Sequence, residues 1–168
     1  MNKVKTLRAS VVDVFVSHSA IDAPLAFLVI QILKKSLNLS SVRIRCTSVP
    51  GSKLNAGVTS SDQLRMEIKS AKTFIALITP NSVKSTYCLF EIGGRWNNGQ
   101  SIVPLICSKK GARILKAPLN SLHALNGCSR EDVFQFVNQV AKELNIEPEL
   151  PYVYLDEVEE LVKLSLLN

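Results

Sequence analysis

Hydrophobic positions along the chain recur with two alternating periods. Val11–Val16 (VVDVFV) is an apolar run of strand length. Asp22 and Pro24 then open a helix in which Leu25, Leu28, Val29, Ile32 and Leu33 recur at the 3.6-residue period. Val42–Cys46 (VRIRC) alternates apolar with basic, the pattern of a strand exposed on one face. A long loop, Thr47–Thr59, carries Pro50, Gly51 and Gly57. Ser60 with Gln63 forms a capping box before Leu64, Ile68 and Ala71. Thr73–Ile78 (TFIALI) and Ile102–Cys107 (IVPLIC) are nearly continuous apolar runs, as central parallel strands covered on both faces should be. Pro104 is a blemish in the second, because proline cannot donate to a ladder. Leu122–Leu125 reads as a weak fifth strand. Ser129 caps a helix whose Val133, Phe136, Val137, Val140 and Leu144 form one stripe.

Strands alternating with helices predict a doubly wound α/β sheet with right-handed crossovers. The half-polar second strand belongs at one edge and the feeble fifth at the other. Those constraints favour a flavodoxin-like five-stranded parallel sheet in the order 2-1-3-4-5. Its switch point lies between strands one and three, and ligands collect outside their carboxyl ends. The segments leaving those ends are Ser17–Asp22 (SHSAID) and Thr79–Thr86 (TPNSVKST).

The second segment runs into STYCLFEIGGRW, a helix start that carries one carboxylate, Glu91, among apolar neighbours. Ser82 or Ser85 would cap it. Tyr87 and Glu91, four apart, share a face, and Leu89 and Ile92 are expected to point to the core. An aromatic ring one turn before a carboxylate suits a glycosidic bond: the ring stacks on a flat leaving group, and the carboxylate stabilises an oxocarbenium-like centre. The plain alternative is a solvated helical glutamate.

Other chemistries find little support. Ser17 and His18 are adjacent and leave their strand in opposite directions, with no acid to complete a triad. His18 and His123 are the only histidines, and the four cysteines (Cys46, Cys88, Cys107, Cys128) form no CxxC pair, so neither a metal site nor a disulfide framework is expected. Cysteines in apolar segments fit a reducing cytosol. The loop PGSKLNAG lacks P-loop order, and GxGxxG is absent.

The 168 residues fit one domain, with 46% hydrophobic and 20% charged residues. No apolar run approaches a bilayer span, and the N-terminus has no apolar signal core, so a cytoplasmic location is expected. The net charge of +6 conceals an asymmetry. Residues 1–145 hold 19 Lys/Arg against 8 Asp/Glu, whereas residues 146–168 hold one Lys against six acids. The basic body has no dense Lys/Arg run or aromatic-interleaved patch, so nucleic acid is not read as a partner. The acidic tail reads as a Pro-broken linker and a short amphipathic helix, Leu155–Leu167. It would dock on the body, or lead to a partner or a further domain.

The ordered set DVFVSHSAID, FIALITPNSVKSTYCLFEIG and IVPLI, with S-x-x-C-x-x-E at Ser85, Cys88 and Glu91, resembles the Toll/interleukin-1 receptor (TIR) domain family, most closely its bacterial members. The likeness covers Val11–Leu144. It implies the same flavodoxin-like sheet, and that Glu91 matches a catalytic glutamate cleaving NAD+ between nicotinamide and ribose. NAD+ would be the substrate, with no separate cofactor. The resemblance places Ser17, His18, Ser19, Ser85, Tyr87 and Cys88 around that substrate, with Tyr87 where many catalytic members carry tryptophan. It implies that the loop with Val49, Pro50, Gly51 and Gly57 packs on a neighbouring protomer, so that activity follows homo-oligomerisation through TIR–TIR contacts. It further implies an anti-phage effector switched by a sensor domain or partner joined through the tail. Many family members are instead non-enzymatic scaffolds that commonly lack the glutamate. A nucleoside-cleaving transferase on a similar sheet is a third reading.

Overall fold

Five parallel strands pair in the order β2-β1-β3-β4-β5, with β1 Val14–Ser17, β2 Ile44–Arg45, β3 Thr73–Ile78, β4 Val103–Ile106 and β5 Leu125–Asn126. The computed structural model describes residues 12–46 and 60–168. The helices are α1 (Ala23–Leu37), α2 (Ser60–Ser70), α3 (Thr86–Asn97), α4 (Arg130–Leu144) and α5 (Leu155–Leu167). This is the flavodoxin-like topology expected from the alternation of elements, with the switch point between β1 and β3.

Side-chain alternation sorts the core onto the two faces of the sheet. Val14, Val16, Ile75, Leu77, Val103 and Leu105 belong to one cluster, with the stripes of α1, α4 and α5. Phe15, Phe74, Ala76, Ile78 and Ile106 face the other way, with Leu64 of α2 and Ile92 of α3. Phe15 and Phe74 are register partners, and their rings stack with centroids 5.4 Å apart. The helix ends follow local chemistry. Ser85 and Ser129 cap α3 and α4 through side chains accepting from Cys88 N and Asp132 N, and Asn38 and Asn145 close α1 and α4 in the left-handed region.

Pro104 sits in β4 opposite Ala76 without breaking a bond that the sheet needs. The Cys107 N–H donates to Ile78 O of β3, whereas Ile106 O accepts from Gly127 on the β5 side. By alternation, the N–H missing at Pro104 would also face β5, whose pairing with β4 begins only at Leu105.

Several sequence expectations need correction. The first strand begins at Val14, and the second is only Ile44–Arg45, preceded by a 3-10 turn at Ser41–Arg43. Nor is the basic side of that strand solvated. Arg45 is buried, and its Nε and Nη2 each lie 2.6 Å from the carboxylate of Glu67 on α2. A bidentate pair of this kind lets a guanidinium occupy an inner position. Leu89 does not point to the core either. The buried face of α3 is Cys88, Glu91, Ile92 and Arg95, leaving Tyr87, Leu89, Phe90 and Trp96 exposed. The fifth strand is Leu125–Asn126, two residues long.

Gln63 donates its side-chain amide to Glu67 one turn on, and the expected capping partner Ser60 falls inside α2, at its first residue. The tail helix α5 buries Val158, Leu161 and Ser165 against α1 and α4, with Lys35 on Glu157 and Arg130 on Glu159 at its edges. Among the described residues, no helix is long and apolar enough to cross a membrane.

Candidate active site

The inverted polarity of α3 builds the site. Its inward stripe at positions i, i+3, i+4 and i+7 would ordinarily be apolar. Here two of the four positions are charged types, and each is held differently. Arg95, near the end of α3, is 2% exposed and donates to the carbonyls of Ile68 (2.8 Å), Ala71 (2.9 Å) and Ser101 (3.0 Å). Its guanidinium also lies over the Phe74 ring, 5.9 Å from the centroid. Arg95 thereby joins the C-terminal end of α2, with its free carbonyls, to α3.

Glu91, one turn earlier, is in no ion pair among the described residues. It is 8% exposed, and Ser17 at the end of β1 donates its hydroxyl to Oε2 at 2.5 Å. Burial pushes the carboxyl from its ordinary 4.5 up to about 7, against the pull of the Ser17 bond. Tyr87 stands close enough for Glu91 to raise its phenol as well, although burial is the larger cause. Both residues line a cavity of about 430 Å³ between α2 and α3, together with Leu64, Arg65, Ile68, Thr86 and Phe90 among the described residues.

The two switch-point loops are locked together. Asp22, buried at the start of α1, accepts from Thr79 Oγ1 at 2.5 Å and Asn81 Nδ2 at 2.8 Å. Thr79 Oγ1 in turn accepts from the backbone N–H groups of Asn81 and Ser82. Sequence reasoning used Asp22 only to open a helix and passed over Thr79 and Asn81. An acid inside SHSAID and a Thr-Pro-Asn-Ser turn at the facing strand end were the available signals.

The other expected site residues divide. Ser17 bonds Glu91, Cys88 lies beside both, and Ser85 adjoins Cys88: Ser85 Oγ accepts from Cys88 N at 3.4 Å, and burial raises the Cys88 thiol while the Ser85 and Ser17 hydroxyls oppose it. His18 faces the opposite way from Ser17. Its ring lies 3.2 Å from Val16 O and 3.7 Å from Cys46 Sγ, and burial holds its pKa below the usual value. Ser19 is buried and accepts from Asp22 N through its backbone carbonyl at 2.8 Å. Val49, Pro50, Gly51 and Gly57 lie outside the described residues. Among the described residues, no group of three His, Cys, Asp or Glu side chains could hold a metal ion.

The molecule is therefore a doubly wound α/β domain with a buried, hydroxyl-bonded carboxyl beside its switch point. A family model for the TIR domain matches residues 14–141, and the chain belongs to that family. Its fold is similar to the crystal structure of the TIR domain of the Toll-related receptor TRR-2 from Hydra magnipapillata. The TM-score is 0.60 with 13% identity, covering 79% of this chain and 98% of that one. No curated protein matches the sequence.

Proposed function

We propose that this TIR domain is an NAD+ nucleosidase that cleaves the nicotinamide–ribose bond with Glu91 as its catalytic carboxylate. The supporting observation is a carboxyl buried at the wall of a cavity, beside an exposed tyrosine ring and in no ion pair among the described residues. Glu67, a buried acid that ties α2 to β2, is by contrast paired with Arg45.

Nicotinamide in NAD+ is a cationic leaving group, so bond cleavage needs no general acid. The C1′–N electron pair departs with neutral nicotinamide, and the positive charge passes to the ribosyl centre. Entry of the cationic nicotinamide ring favours ionisation of Glu91, pulling its pKa down from about 7. The resulting carboxylate faces the developing oxocarbenium across a partly dry cavity, where charge stabilisation is strong. Tyr87 offers a ring face to nicotinamide. Water adding at C1′ and releasing a proton gives ADP-ribose, and an internal nucleophile gives a cyclic isomer.

A second reading, a scaffold working through TIR–TIR contacts, draws on the exposed Tyr87, Leu89, Phe90 and Trp96 along α3. Concentrated protein incubated with NAD+, with nicotinamide followed by chromatography, separates the two. Release that disappears in Glu91→Gln supports the nucleosidase. Absence of release from an assembled sample supports the scaffold.

A further inference from the structure

A second cavity of about 640 Å³ lies elsewhere along α3, sharing no lining residue with the Glu91 cavity. Its apolar surface comes from Leu89 and Trp96 on α3, Ile114 and Pro118 beyond β4, and Pro80 and Val83 after β3. Four cations stand around it: Lys84, Lys110, Arg113 and Lys116. Among the described residues, no acid lines the cavity and none of the four cations is in an ion pair. The wall of α3 here includes Gly93, and a Cβ built on it would meet nothing within 4 Å. No internal close approach requires that glycine, although glycine weakens a helix interior. It leaves the cavity deeper than any other residue would.

We propose that this cavity binds a phosphate-bearing small molecule with a flat body, a nucleotide being the chemical class that carries both parts. Its volume falls in the range of roughly 300–1,000 Å³ occupied by small-molecule sites. Four unpaired cations match a ligand of two or more negative charges better than a single carboxylate. Trp96, half-exposed at the cavity, supplies a stacking face for a base. The site is independent of the chemistry assigned to Glu91 and stands whether or not that chemistry occurs.

Trp96 is the only tryptophan in the chain, so its fluorescence reports occupancy directly. The full chain is titrated with AMP, adenosine, pyrophosphate and octanoate, and binding is checked by equilibrium dialysis. The expected result is saturable quenching by AMP with a Kd below about 1 mM. Adenosine, pyrophosphate and octanoate bind at least roughly tenfold more weakly, and AMP binding weakens as salt rises. The pair Lys110→Gln and Arg113→Gln weakens AMP about tenfold or more. Gly93→Met fills the cavity, favours the helix and abolishes binding in dialysis, whereas Glu91→Gln leaves it unchanged. Four results overturn the proposal: no saturable AMP binding, pyrophosphate binding as tightly as AMP, octanoate binding as tightly as AMP, or AMP binding that survives Gly93→Met but is lost in Glu91→Gln.

Discussion

The Ser17 hydroxyl donates to Glu91 Oε2 at 2.5 Å, joining the end of β1 to the middle of α3 across 74 positions of sequence. This bond favours the ionised carboxyl, whereas burial opposes it. Removing it in Ser17→Ala should lift the Glu91 pKa above about 7. A hydrogen bond to a charged group is worth roughly 1.5–3 kcal/mol, so the acidic limb of the pH–activity profile should move up by about one to two pH units. A profile that stays in place in Ser17→Ala would show that this carboxyl does not govern turnover.

The same carboxyl makes stability depend on pH with a definite sign. Its folded pKa of about 7 lies above the ordinary 4.5, so between these values the folded protein binds more protons than the unfolded chain. Stability contributed by this group is therefore full below about 4.5, falls as pH rises through about 7, and levels off above it. The difference corresponds to about 3 kcal/mol at most. Glu91→Gln should flatten this segment in urea unfolding at pH 5 and pH 8, gaining stability relative to the parent at the higher pH. An equal slope in both proteins would contradict a buried, unpaired acid.

Tyr87 is 61% exposed on the cavity wall, so its replacement should act on substrate binding more than on folding. Tyr87→Ala is expected to raise KM for NAD+ about three- to tenfold, corresponding to roughly 0.5–1.5 kcal/mol of ring contact. Tyr87→Trp, with a larger face, should lower it. Steady-state kinetics on the three proteins decide this. Unchanged KM in Tyr87→Ala would remove the ring from the site.

Arg95 holds three or more backbone carbonyls from inside the protein. Arg95→Ala strands those acceptors and opens a void over Phe74, so stability should fall by about 3–5 kcal/mol in denaturant titration. Because Arg95 ties α2 to α3, a partial replacement such as Arg95→Lys should also loosen the cavity and reduce turnover in protein that is still folded. A loss below about 1 kcal/mol for Arg95→Ala would mean that water takes over the carbonyls.

These two residues also show where sequence patterns stop being informative. β3 was legible residue for residue, because Thr73–Ile78 is apolar from Phe74 onward and no other element needs that run. The strand order followed from a half-polar second strand and a feeble fifth. The capping serine of α4 was legible because capping is local chemistry, and at α3 Ser85 was one of two candidates with Ser82. Helix α3 resisted, since Leu89 is exposed while Glu91 and Arg95 are buried. Periodicity assigns the apolar residue to the core, and only tertiary partners reverse that assignment. Those partners are Ser17 for Glu91 and the end of α2 for Arg95. Arg45 was misread for the same reason, because Glu67 lies 22 positions away. The spacing of Tyr87 and Glu91 did place both on one cavity, with the ring outside and the acid inside.

The central claim is that Glu91 works on NAD+, and nicotinamide release by concentrated parent protein against Glu91→Gln tests it most directly, with thermal unfolding run on both. The prediction is release by the parent and a fall of at least roughly 10²-fold in a variant that remains folded. Equal release by parent and folded variant would contradict it.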